Sequence, residues 1–227
     1  MTTGVIFLAA ALAAPAPRSN AEKALDAQDR PKLEKLAKEA AFLAEMQPGD
    51  PDSQYKSAAV HSLLAQLAIE KQDKALGASA AETGIEAARR AVKLREKNAE
   101  YHRILGTLCG QIIPANVWAG LKYGRCAMEE VGKAIEIDKS SAPAWLSRGV
   151  GNYYLPPAFG GGVPLAIRDF EQAIQIDPNL SEAHLWLGIA LRKAGRNADA
   201  RKAIERSLAL NPARKWAREQ LDKTPAQ

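Results

Sequence analysis

The sequence predicts an all-α protein, a right-handed solenoid of helical hairpins with roughly ten helices and no sheet. Three observations predict it. The same order of large, small and proline residues recurs four times, its reference residues His61, His102, Trp145 and His184 lying 41, 43 and 39 residues apart. Self-similarity at that period marks stacked repeats. Aromatic residues make up only 6% of the chain while alanine is abundant, which favours close-packed helices over strands. Charged residues at 25% and hydrophobic ones at 47% are ordinary for a soluble chain of 227 residues that buries a core.

The chain opens with a ten-residue apolar run, Val5 to Ala14, followed by Pro15 and Pro17. It is too short for a membrane-spanning helix, which needs about 20 apolar residues. It fits the core of a secretory signal over residues 1–16, with Ala11-Leu12-Ala13 as a small-residue cleavage site and a mature protein beginning near Ala14. Met1 to Gly4 lack the positive charge that usually precedes such a run, so either the true start lies further upstream or the segment is a disordered tail. No cysteine follows for a lipid anchor. The expected location is periplasmic or secreted, otherwise cytoplasmic, with no transmembrane segment in the mature protein.

Residues 20–57 read as an N-terminal helix and linker. Asp29-Arg30-Pro31 starts an amphipathic helix whose stripe is Leu33, Leu36, Ala40 and Leu43, and Pro48-Gly49-Asp50-Pro51 stops it. Four hairpin units follow over residues 58–212. The last, Ser181 to Pro212, is the clearest: His184, Leu187-Gly188, Leu191, Gly195, Ala200, Ile204, Leu208 and Asn211-Pro212. Small residues let two antiparallel helices approach, and large ones fill the space between them. Trp145, Gly149, Ala166, Phe170, Ala173 and Asp177-Pro178 form a unit stretched by about five residues. His102, Leu105-Gly106, Ala127, Val131 and Ala134 form one stretched by about nine, and His61, Leu64-Ala65, Gly84, Ala88 and Ala91 the weakest. From Ala91 to Ala99, Ala134 to Ala142 and Ala173 to Ser181 the step is eight residues each time, which fixes the register. Residues 213–227 read as a charged capping helix and tail carrying Trp216, since a terminal repeat needs a polar cover.

These residues resemble the tetratricopeptide repeat, and the resemblance covers about two-thirds of the chain. The stretch Tyr154-Leu155-Pro156-Pro157-Ala158-Phe159-Gly160-Gly161-Gly162, with Ala166-Ile167 and Phe170, is similar to the long-turn repeats of periplasmic TRAP-transporter T-component proteins. That second likeness implies an exported protein that binds a ligand through an apolar channel. Partners of tetratricopeptide proteins lie along the first helices of the units. There the family's carboxylate-gripping Lys and Asn are replaced by Ser62/Gln66, Arg103/Thr107, Leu146/Val150 and Leu185/Ile189. The clamp is absent. The last two units offer instead an apolar groove of Leu146, Val150, Leu185 and Ile189 for a protein or peptide partner or an apolar small ligand. The alternative is that the protein's own insertions fill that face. Trp118, Tyr123 and Phe159 belong to the insertions, and Tyr153 and Tyr154 end the helix leading into one. Because adjacent units stack in parallel, Trp118 is expected near Phe159 at the groove's rim.

The remaining motifs carry little chemistry. Gly160-Gly161-Gly162-Val163-Pro164 lacks the ending of a phosphate loop and reads as a turn before a helix. The histidines share one repeat position and lie about forty residues apart, which gives no zinc-ligand spacing. His102 and Cys109 share a helix face, but both are ordinary core positions. No catalytic residue, metal or cofactor is expected. Cys109 and Cys126 are placed to bridge the two helices of one unit, although two cysteines alone establish neither a bridge nor a compartment. From Arg192 onward there are ten Lys/Arg against four Asp/Glu. These charges alternate with apolar residues at helical spacing, so they read as a solvated helix face and not as a nucleic-acid site.

Overall fold

A computed structural model describes residues 17–226 apart from Asn116. The expected signal segment, residues 1–16, lies outside the described residues. Among those described there are eleven α-helices and no strand. Helices α1 (Asn20–Asp26) and α2 (Arg30–Met46) precede four hairpins. These are α3 (Pro51–Glu70) with α4 (Lys74–Leu94), α5 (Ala99–Gln111) with α6 (Val117–Ile137), α7 (Ala142–Tyr154) with α8 (Val163–Ile176), and α9 (Ser181–Lys193) with α10 (Asn197–Leu210). Helix α11 (Lys215–Asp222) closes the series. No helix among the described residues is long and apolar enough to cross a membrane.

The helix starts repeat a local device. Asp50, Asn98 and Ser141 each accept backbone N–H bonds at the head of the first helix of a unit, and Asp73 does the same for α4. Such caps contribute roughly 0.5–2 kcal/mol each. Proline occupies the first turn of α2, α3, α7 and α8, where its missing N–H has no partner to lose.

Packing within a hairpin follows from one small-for-large exchange. A Cβ added to Gly106 would stand 2.7 Å from Val131 Cγ2, one on Gly149 2.5 Å from Phe170 Cε1, and one on Gly188 would overlap Ile204 Cγ1. Each glycine on the first helix therefore receives the bulky residue of the second. The first unit inverts the arrangement: Gly84 on α4 receives Leu108 from the next unit. The resulting core has a large N-terminal cluster from Ala21 to Tyr123 and a second from Ala166 to Ala217. A small cluster of Val131, Ala134, Ile135 and Ala144 lies between them.

The N-terminal boundaries need correction, and the insertions take a definite form. Residues 51–57 are the first two turns of α3, not a linker, because Asp50 and Pro51 start a helix where Pro48 and Gly49 have just stopped one. Residues 20–26 form a separate helix opened by a Ser19–Glu22 capping box. The insertion carrying Trp118 and Tyr123 is mostly helix: it lengthens α6 at its start, and Tyr123 is buried in the core. The other insertion is a short 3-10 turn, Pro157–Phe159, that folds back where Gly162 N–H donates to Asn152 O at 2.8 Å. Gly160 and Gly162 take φ of 85° and 115°, values that favour glycine.

Cys109 and Cys126 form a disulfide between α5 and α6, with Cα atoms 5.9 Å apart. The ends of the array also meet. Arg214, in the turn before α11, is ion-paired with Glu70 at the end of α3 and with Glu182 on α9, and its Nη1 donates to Leu25 O of α1. Asn211 donates to Asp26 at 3.0 Å. A solenoid normally contacts only neighbouring repeats; here contacts span 144 to 189 residues of chain.

Gly188→Ala tests the hairpin packing. The added methyl meets Ile204 and the Ala200 carbonyl at 2.8 Å. We expect a net loss of about 1–3 kcal/mol by urea denaturation, despite alanine's better helix propensity. An unchanged midpoint would contradict this packing.

Candidate functional site: a cavity along the first helices

The array curves around a half-open cavity of about 2040 Å³, whose wall includes side chains as exposed as those of Leu121 and Phe159. Its wall is built mainly from one side of the first helices of the units, because small residues on the other side of those helices face their hairpin partners. Tyr55, Val60, Leu63 and Gln66 come from α3, Arg103, Ile104 and Thr107 from α5, and Leu146, Ser147, Val150 and Tyr154 from α7. Leu36 and Leu43 of α2, Leu121 and Met128 of α6, and Trp216 of α11 complete the wall.

The polar part of the wall is internally satisfied. Arg103 donates to Glu100 at 2.6 and 2.5 Å, and Tyr55 donates to Glu100 at 2.8 Å. Burial raises the Glu100 carboxyl, but the charge and hydrogen bonds of Arg103 and Tyr55 outweigh it and hold Glu100 below its ordinary range. Burial, and then the Glu100 charge, push the Tyr55 hydroxyl up. Thr107 and Ser147 share a hydrogen bond of 3.0 Å, joining the first helices of two units, and Ser62 donates to Gln111 at 2.9 Å.

The structure divides the residues expected to form the groove. Leu146, Val150, Tyr154 and Phe159 line the cavity. Leu185 and Ile189 do not, being only 0% and 5% exposed in a core with Phe170, Trp186 and Ala217. The reason is α11, which packs on the last hairpin and brings Trp216 within 5.5 Å of Trp186. The last repeat's apolar face is thus filled by the capping helix and not by the insertions. Tyr153 packs edge-on against Tyr154 and Trp186 at 5.0 and 5.8 Å, with Lys193 Nζ 4.3 Å from its ring, so it fastens α7 to α9. Trp118 is 78% exposed and Phe159 72%, and the two rings make no contact with each other.

The histidines are held as packing residues. His61 Nδ1 lies 2.8 Å from Ser57 O, and burial lowers its pKa. His184 Nε2 lies 3.0 Å from Pro178 O. His102 stands between Glu96 O and Glu130, at 2.7 and 2.6 Å. The Glu130 partner, 28 residues along the chain, had no sequence signal. Cys109 is in the disulfide, so it offers no thiol for His102 to activate. No group of three or more metal-ligating side chains converges among the described residues.

A model of the tetratricopeptide repeat matches residues 164–221, which span α8 to α11. Among solved structures, a thermophilic TPR protein of Thermus thermophilus is similar over 89% of this chain and 97% of its own, at 16% identity and a TM-score of 0.66. MamA (19% identity, 91% of this chain and 99% of its own) has a TM-score of 0.45. YrrB, described as a TPR protein with an unusual peptide-binding site, is 15% identical over 86% of this chain and 88% of its own, at 0.45. No curated protein sequence matches the chain.

Leu185→Ala separates core from groove. A core Leu185 loses about 2–5 kcal/mol on truncation. A groove residue would lose well under half of that, so a small change in urea midpoint would return Leu185 to the binding surface.

Proposed function

We propose that this chain, whose residues 164–221 match the tetratricopeptide repeat and whose fold is of that type, is a non-enzymatic scaffold that holds a segment of a protein partner in its cavity. The size of the cavity carries this reading. Sites for drug-sized molecules run to about 300–1,000 Å³, and about 2040 Å³ is well beyond a single small solute. Leu36, Leu63, Ile104, Leu146, Val150 and Tyr154 offer apolar surface to a hydrophobic segment, and the Thr107–Ser147 and Arg103–Glu100 groups fix polar positions between them. The accessory of a solute uptake system, binding one small apolar ligand, would leave most of this space unfilled.

The reading includes an exported protein. The apolar N-terminal run supports it, and so does the Cys109–Cys126 bridge, since disulfides persist in oxidising compartments. Mass spectrometry of the protein from its host is expected to find a mature N-terminus near Ala14 and no labelled thiol. An intact Met1 or Thr2 in cytosolic material would overturn export.

A photo-crosslinking residue placed at Leu146 in the host is expected to capture a partner segment that the same residue at Leu94, exposed on the outer helix layer, does not. Tyr154→Ala should then weaken that partner's binding by about tenfold with the melting temperature nearly unchanged. Equal capture from both positions, or affinity per folded molecule unaffected by Tyr154→Ala, would remove the cavity from the account.

A further inference from the structure

The charges that close the array do not balance. Asp26 of α1, Glu70 of α3 and Glu182 of α9 converge on Arg214, and Arg18 pairs with Asp26 at 2.7 Å. Three carboxylates therefore meet two guanidiniums. The other neighbours are neutral or mutually paired. Asn211 donates to Asp26, Gln66 to Glu70 at 3.2 Å, and Lys71 of α3 pairs with Glu219 of α11 at 3.3 Å. The side chains of Asp26, Glu70 and Arg214 are each at most 2% exposed, and Glu182 Oε2 is buried without a hydrogen-bond partner. An uncompensated buried charge is strongly unfavourable, and a group in that position takes up a proton instead.

We propose that closing the array takes up one proton at this cluster, so that the seam between the first and last helices is a pH-dependent latch. The proton resides on Glu70, where it leaves Arg214 facing the charges of Glu182 and Asp26. The inference concerns the seam alone and stands whatever the cavity holds.

The direction of the dependence follows from the shift. Burial raises the Glu70 carboxyl to about 7, against the pull of Arg214, and burial raises Asp26 in the same direction. Burial would lower the Arg214 guanidinium, but Glu182 and Glu70 reverse this and keep it charged. An open seam returns Glu70 to water and to its ordinary value of 4.5. The closed form thus binds more protons between those values. Its advantage is complete below 4.5, falls as pH rises and is gone above about 7.

Native hydrogen exchange of the full chain, corrected for intrinsic rates, tests this at about pH 5.5 and about pH 8. The opening equilibrium of α1 and α11 amides should rise about tenfold from the lower to the higher pH, measured against α5 amides. Glu70→Gln and Glu182→Gln each remove one carboxylate and with it the need for a proton. Both should abolish that dependence, and the second serves if the first does not fold. A native seam whose opening is independent of pH overturns the proposal. So does a folded variant that keeps the native dependence.

Discussion

Arg214 is the residue on which the shape of this protein depends. A stack of four hairpins is open-ended by construction, since each repeat contacts only its neighbours and nothing in the repeat pattern tells the first helix where the last one is. Arg214 supplies that information. It is 1% exposed and reaches α1, α3 and α9 at once. A buried guanidinium is a weak source of net stability, because desolvation cancels most of the attraction to its carboxylates. It is a strong source of specificity, because any arrangement that buries it without all of its partners is heavily penalised. The apolar packing of α11, with Trp216 against Trp186, supplies the favourable burial that holds the cluster in place.

Closure also explains why the first helices line one shared cavity. The first helices of the units turn their small residues toward their hairpin partners, as Gly106, Gly149 and Gly188 do. Their other faces are left to line a groove. In an open array that groove is a wide concave surface. Here α1 and α2 at one end and α11 at the other bring its edges together. The disulfide between α5 and α6 fixes the middle of the wall, where the lengthened start of α6 presents Leu121 beside Met128.

What was legible in the sequence was what repeats. The pairing of Gly106 with Val131, Gly149 with Phe170 and Gly188 with Ile204 recurs in unit after unit, so a pattern of small and large residues reveals it before any coordinates exist. Leu146 and Val150 were legible as lining for the same reason: a repeat position implies a face, whereas Tyr154 and Phe159 were legible as aromatics at and in an insertion beside it. Leu185 and Ile189 occupy the equivalent positions but are covered, because the last repeat has α11 for a neighbour where the others have another repeat. The Arg214 cluster was illegible. Its partners lie 32, 144 and 188 residues away, and no local spacing links them. Tyr55, Leu63 and Ile104 lack that signal, because the partner-facing repeat positions of the first two units carry the polar Ser62, Gln66, Arg103 and Thr107.

The distance between the two ends of the chain tests the account most directly. Spin labels at Lys23 on α1 and Arg218 on α11, both exposed, report it without touching the cluster. The account predicts a single short, narrow distance distribution in the native protein, and a broad shift to longer distances in Arg214→Met with the helical content retained. A broad, long distribution in the native protein, or one that Arg214→Met leaves unchanged, would contradict closure around Arg214.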